Sequence, residues 1–316
     1  MNIKEFSYYV EGHIRDFLPE EIRESASIFV HPVRRINDTL QYKLLIRQAG
    51  EKVSPIISLE EAWAAYRDGV EMEVVLEKLV EICEEHKYDF QGDISLEYEA
   101  VKDRLVFQIV NKEANRAGLN ERIYTDAGQG FAKVYAIHQS TDGFPQKGNI
   151  PVTYEMMHSY GYDMQSIIQK AEENTAQIYP AVFSQMEQML SALGQDEFAD
   201  ENSVVENFFV LSNTDGYRGA GVLFYPGMQE KIAAELGQGY YVIPSSIHEM
   251  LIVPEDVGIS AVELEQMVRD INQEAVSRED FLSNKVMFYD REKEQLRIAL
   301  PEIPDLQIGE KKGVER

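Results

Sequence analysis

Six consecutive residues, Pro244-Ser245-Ser246-Ile247-His248-Glu249, place hydroxyl, imidazole and carboxylate groups side by side. These are the groups of nucleophilic hydrolysis: a serine activated by a histidine within hydrogen-bond reach, and an acid that orients the ring. Ser246, His248 and Glu249 are therefore the candidate catalytic set. In an extended segment Ser246 and His248 point to the same side, but no turn presents the serine. The chain has no G-x-S-x-G elbow. The local reading is the stronger one. Ser246-x-x-Glu249 has the spacing of a capping box for a short helical turn, and Pro244 stops the strand before it. The segment is accordingly expected to cap first, to bind a ligand second and to catalyse last.

The other candidates are weaker. The histidines are His13, His31, His86, His138, His158 and His248. Only Glu155 and His158 show the E-x-x-H spacing of di-iron carboxylate sites. Such a site needs a second pair and two further glutamates, so no metal is expected. His86 ends a helical pattern and suits its dipole. Asp126-Ala127-Gly128-Gln129-Gly130 is glycine-rich, but it lacks G-x-G-x-x-G, and Lys133 follows without a Ser or Thr. A loop entering a strand is the expectation, and no cofactor is implied. Cys83 is the single cysteine and falls on an apolar helix face with Leu79 and Val80. That reads as a buried thiol, and it excludes an internal disulfide.

The elements that carry these residues are legible. Phe208–Ser212 and Ala220–Tyr225 read as strands joined by the turn-rich NTDGYRG. Pro226-Gly227 opens a helix over Met228–Leu236, which Gly237 ends. Tyr240–Ile243 and Met250–Val253 are strands on either side of the PSSIHE segment. A helix over Ala261–Ala275 and strands over Lys285–Tyr289 and Gln295–Leu300 follow. Upstream, Ile3–Phe17 has helical spacing, and Pro19-Glu20-Glu21 starts a second short helix. Ile28–Arg35, Leu40–Arg47 and Lys52–Ser58 alternate as strands. Ser58 and Glu61 form a capping box for a helix over Leu59–Arg67, and another helix runs from Met72 to His86. Between these blocks lie strands at Arg104–Val110 and Phe131–His138, and a short helix at Lys112–Ala117. Asp142–Asn149 reads as a loop. Helices follow at Thr153–Ser159 and Met164–Ala176, the latter capped by Asp163. Gly194–Ser203, polar and acidic, is the linker candidate.

The predicted fold is thus α+β, with mixed or antiparallel sheets and helices packed on one face, in several modules. The expected boundaries are 1–100 (α-β-β-β-α-α), 101–193 (mixed) and 204–300 (α+β), with a frayed tail at 301–316.

Composition narrows the function. The chain has 316 residues, 55 acidic and 30 basic, for a formal net charge of −25. The acid is uneven: residues 51–100 hold 14 acidic and 4 basic side chains, whereas 101–150 hold 5 and 7. This field repels phosphate backbones, so nucleic acid is not an expected partner. Aromatic residues are interleaved with carboxylates rather than with lysine or arginine, unlike a stacking groove for single strands. No run approaches a membrane span, and the charged N-terminus lacks an apolar signal core. A cytoplasmic protein without membrane partners is expected.

Several stretches together resemble a family. They are VSPIISLEEAWAAYRDGVEMEVVLEKL (Val53–Leu79), LVFQIVNKEANRAGL (Leu105–Leu119), AEENTAQIYPAVFSQM (Ala171–Met186) and VRDINQEAVSREDFLSNKVMFYD (Val268–Asp290). The best match is FVLSN…GAGVLFYPGMQEKIAAELG…YYVIPSSIHEMLIVP. With these the chain resembles the acidic gut-Firmicute proteins grouped as domain of unknown function 5688. It departs at ERIYTDAGQGFAKVYAI (Glu121–Ile137), where an acidic-aliphatic strand is expected. The resemblance implies a bacterial protein and an architecture but no reaction. The genomes of its members, rich in mobile elements, imply an association with such elements. The leading expectation is a non-enzymatic binding or accessory protein that recognises another macromolecule, with a protein as partner. The alternatives are a hydrolase-like enzyme using Ser246 and His248, and an acidic mimic of nucleic acid.

Overall fold

In the computed structural model of the chain, residues 1–48, 54–85, 95–139, 148–186, 207–244 and 246–299 are described. The linker candidate 194–203, the tail 301–316, His86, Ser245, residues 52–53 and most of the 142–149 loop lie outside them. The chain divides into two compact units. One comprises Met1–Lys102, Ala114–Arg122 and Ile137–Tyr162, the other Asp103–Glu113, Ile123–Ala136 and Asp163–Arg316. The expected module 101–193 is shared between them.

The first unit begins with helix α1 (Ile3–His13), fixed at its start by a capping box. The Asn2 side chain accepts from the Glu5 amide while the Glu5 carboxylate accepts from the Asn2 amide. A short helix α2 (Glu20–Arg23) precedes strands β1 (Ser27–Arg34), β2 (Leu40–Arg47) and β3 (Ile56–Ser58). These form an antiparallel sheet in the order β1-β2-β3. Helices α3 (Glu60–Arg67) and α4 (Met72–Glu85) follow.

Alternate residues of a strand face opposite sides of its sheet. On one side Val30, Leu44 and Ile46 pack with Phe6 and Val10 of α1, with Ile14 just after it, and with Leu76, Leu79 and Val80 of α4. Cys83 is buried in this core. Each fully buried aliphatic side chain contributes about 1.5–3 kcal/mol. The turn between β1 and β2 is held by side chains. Asn37 and Asp38 both have positive φ, a region that asparagine and aspartate tolerate best among residues with a side chain. Asp38 accepts from the amides of Ala117 and Gly118 at 2.7 and 2.8 Å. Asn37 and Asn115 bond each other reciprocally at 2.7 and 2.8 Å.

The Ser58 cap does not form. Ser58 stays in β3, paired with Lys43, and its hydroxyl donates to Glu60. Leu59 occupies the cap position with no side-chain bond. Glu60 instead reaches back to accept from the Tyr42 amide at 2.8 Å. Strand pairing has taken the serine that the helix would have used.

The second unit is built on a six-stranded antiparallel sheet, β13-β12-β10-β11-β9-β8. Its strands are β8 (Ala181–Gln185), β9 (Phe209–Asn213), β10 (Tyr240–Ile243), β11 (Met250–Pro254), β12 (Met287–Asp290) and β13 (Gln295–Ile298). On one face, helix Ala261–Glu274 packs Leu264 and Val268 against Val210, Ile243, Leu251 and Val253. The opposite face is buried too, with Leu211, Val242, Met250 and Ile252 at 0% exposure. Covering on both faces explains why Met250–Val253 is an unbroken apolar run and not an alternating one. β8 lies upstream of the linker candidate, so the sheet is not confined to 204–300.

A further four-stranded sheet comprises β4 (Leu105–Asn111), β5 (Tyr124–Gly128), β6 (Phe131–Gln139), which runs between them, and β7 (Gly148–Pro151), which pairs with β6. DAGQG is the tight β5–β6 hairpin, with positive φ at Gly128, Gln129 and Gly130. Helix Met164–Ile178 is capped by Asp163, as expected, and its Thr175 hydroxyl accepts from the Phe107 amide at 2.9 Å.

Two expectations are corrected here. Ala220–Tyr225 is not a strand: Gly219–Phe224 is a 3-10 helix with Val222 and Leu223 fully buried. A short, wholly buried apolar run has no periodicity that separates helix from strand. The short helix expected over Lys112–Ala117 lies at Arg116–Leu119.

Candidate functional site

The PSSIHE segment connects β10 to β11 in the second unit. No helix follows Ser246, so the expected capping box is absent: β11 begins at Met250. The Ser246 hydroxyl accepts instead from the His248 main-chain N–H at 3.0 Å, a two-residue side-chain turn. Ser246 is also bridged to Phe281, and the Ile247 amide donates to the Asp280 carbonyl at 2.8 Å.

His248 uses both ring nitrogens. Nδ1 lies 3.2 Å from the Arg218 main-chain nitrogen, which can only donate. Nδ1 is therefore the acceptor, and the proton of the neutral imidazole sits on Nε2. Nε2 lies 3.1 Å from Asp280 Oδ1, and Asp280 Oδ2 accepts from the Ser277 hydroxyl at 2.7 Å. The His248 carbonyl accepts from the Ser212 hydroxyl at 2.8 Å. Burial pushes the Glu249 carboxyl above its ordinary range, and the neighbouring His248 pulls it the other way.

Arg218 and Gly219 complete the arrangement. Arg218 has φ 54° and its guanidinium lies 5.2 Å from the Tyr217 ring. At Gly219 a Cβ would fall 2.2 Å from Ser212 Oγ and 2.5 Å from the His248 carbonyl oxygen. Only glycine lets these chain segments approach so closely.

Chemically the cluster is a clamp. A serine hydrolase needs one ring nitrogen facing the nucleophile while the other is held by the acid. Here the acid takes Nε2, an amide takes Nδ1, and Ser246 meets the main chain of His248 rather than its ring. Ser246, His248 and Glu249 are neighbours in space as in sequence, but the ring's partners are Arg218 and Asp280. Both partners lie at least thirty residues from His248 in sequence, and no local pattern announces them. Glu155 and His158 lie on helix Tyr154–Tyr160. Among the described residues no group of three or more His, Cys, Asp or Glu side chains is placed to hold a metal ion. No helix among them is long and apolar enough to cross a membrane.

The first unit offers a different kind of site. The side of its sheet turned away from α1 and α4 carries Phe29, His31 and Val33 from β1. It also carries Gln41, Lys43, Leu45 and Arg47 from β2, and Ile56 and Ser58 from β3. Phe29 stands opposite Leu45, and Leu45 opposite Ile56, so one apolar row crosses all three strands. Phe29 is 40% exposed and Ile56 66%. The signal was present in the sequence: a sheet covered on one face should alternate with polar residues, and Phe29, Leu45 and Ile56 break that alternation.

No curated protein and no protein of solved structure is detectably similar to this chain. A family model does match, over residues 3–291, and its description is "Family of unknown function (DUF5688)". The clamp and the open face both fall within that span, and the chain belongs to this family.

Proposed function

We propose that the chain is a non-enzymatic accessory protein of the cytoplasm that recognises another protein. The observation that carries this reading is the open face of the β1-β2-β3 sheet. A sheet face bearing Phe29, Leu45 and Ile56 in one row is unusual on a surface otherwise dominated by charge, and contiguous exposed apolar area marks interaction sites. The His248 clamp supports the same reading from the other side, because its ring has no nitrogen left to activate Ser246.

The hydrolase alternative rests on the pairing of His248 with Asp280. It requires the ring to leave Arg218 and turn towards a hydroxyl. Two measurements decide between the readings. The tagged full chain and its Ile56→Asp variant are used for affinity capture from the native cell, with quantitative mass spectrometry. A protein partner retained by the native chain and lost from the variant is the expected result. In parallel, the chain is treated with a fluorophosphonate probe. Labelling at Ser246 would overturn the accessory reading in favour of the hydrolase.

A further inference from the structure

Arg218 is held without a partner for its charge. Its guanidinium forms no ion pair with, and donates no hydrogen bond to, any described residue, and its Nε is buried with no acceptor. Arginine keeps its proton throughout the physiological pH range, and a buried donor left unpaired is costly. In a chain with 55 acidic residues against 30 basic ones, a carboxylate for this cation would be easy to supply. Asp280, which completes the clamp, is taken by the His248 ring and the Ser277 hydroxyl instead.

The main chain at Arg218 points the same way. Its φ of 54° and ψ of 34° lie in the left-handed region, where glycine fits and arginine is strained. The turn that imposes this conformation is firmly tied. The Asn213 side chain donates to the Tyr217 carbonyl at 2.9 Å and accepts from the Asp215 amide at 3.1 Å. The Arg218 amide donates to His248 Nδ1. The Tyr217 ring stands 5.2 Å from the guanidinium and 6.0 Å from the imidazole, and so braces the cation beside the clamp. A strained backbone and an unsatisfied donor meet on one residue, held by a rigid frame. That combination is characteristic of a group kept for binding rather than for stability.

We infer that Arg218 anchors a binding site for a small carboxylate ligand. The side chain is half-buried, and its planar fork matches the two oxygens of a carboxylate. The ligand would supply the acceptors that the chain withholds. Phosphate fits less well, because a net charge of −25 opposes a second negative charge on the ligand. The site belongs to the second unit and does not rest on the protein-recognition reading.

The test is an NMR titration of the nitrogen-15-labelled full chain with sodium acetate, exchanged for sodium chloride at constant ionic strength. The signals followed are the Arg218 Nε–H and the main-chain amides. Saturable shifts of Arg218 and its neighbours in the 213–219 turn are expected. Arg218→Gln should weaken acetate binding at least about tenfold, the effect of about 1.4 kcal/mol. Arg218→Gly removes the cation but suits the left-handed backbone. It should lose acetate binding equally while melting no lower than the native chain. A lower midpoint for Arg218→Gly would show that the guanidinium serves the fold and would overturn the site. Shifts that survive both substitutions, or no saturable shift of Arg218 in the native chain, also overturn it. Inorganic phosphate, titrated in the same way, should bind more weakly than acetate. The reverse order overturns the carboxylate class.

Discussion

The hydroxyl of Ser246 lies 3.0 Å from the main-chain nitrogen of His248 and accepts its hydrogen, while the ring of the same histidine is turned to Asp280 and Arg218. Two residues that could make a nucleophile and its base are instead used to shape a turn. Ser246→Ala is expected to cost about 0.5–1.5 kcal/mol, the value of one hydrogen bond. Asp280→Ala should cost about as much, because the side chains of His248 and Asp280 are 33% and 40% exposed and water replaces part of what is lost. Urea melts of the two variants check this. An unchanged midpoint for both would show that the clamp does not contribute to stability.

The close approach at Gly219 makes a sharper prediction. Gly219→Ala drives a methyl group into Ser212 Oγ, the His248 carbonyl and the Asn213 amide, the last at 2.7 Å. Two of the three contacts are main chain and cannot rotate away. The variant is expected to lose about 3 kcal/mol or more, at the upper end of overpacking costs. Thermal denaturation followed by circular dichroism reads it, and a shift of less than a few degrees would mean that the 213–219 turn relaxes freely.

Glu249 gives the chain a pH signature. Its folded-state pKa is raised by burial. The folded form therefore favours the protonated acid. Stability linked to this group is fully present below the ordinary glutamate range and is lost as pH rises through the elevated folded value. Glu249→Gln stays neutral throughout. The variant should match the native chain near pH 4 and be the more stable of the two at pH 7. Denaturant midpoints at the two pH values measure the difference. A variant that is less stable at pH 7 would reveal a favourable partner for the carboxylate.

The sheet order predicts how fragments behave. β8 pairs with β9 along Ala181–Asn213 to Gln185–Phe209, and it precedes the linker candidate. A fragment starting at Ser203 would expose β9 as a bare edge and lose helix Met164–Ile178. It is expected to aggregate or to give an undispersed NMR spectrum, because an uncovered strand edge is a template for pairing. A soluble, well-dispersed fragment 203–300 would show that the last module folds alone.

Local chemistry in the sequence determined most of the elements. Asn2 and Glu5, Asp163 and Ser166, and Ser260 and Glu263 are caps whose partners lie three residues apart, so the start of each helix is written in a short stretch. Leu40–Arg47 and Met228–Leu236 have the boundaries that their turn residues announce. The α+β class follows from the alternation of these stretches. Tertiary structure decided the rest. Gly219–Phe224 became a 3-10 helix because burial on all sides erased its periodicity. Ser58 and Ser246, each spaced for a cap, were drawn into strand pairing and a turn by partners brought by the fold. The proton on His248 Nε2 is assigned by Arg218 and Asp280, thirty or more residues away in the chain. The open face of the first sheet needed both kinds of information. Phe29, Leu45 and Ile56 are visible as apolar residues, but only the register of three paired strands sets them in one row. Only the placement of α1 and α4 on the opposite side leaves that row facing outward.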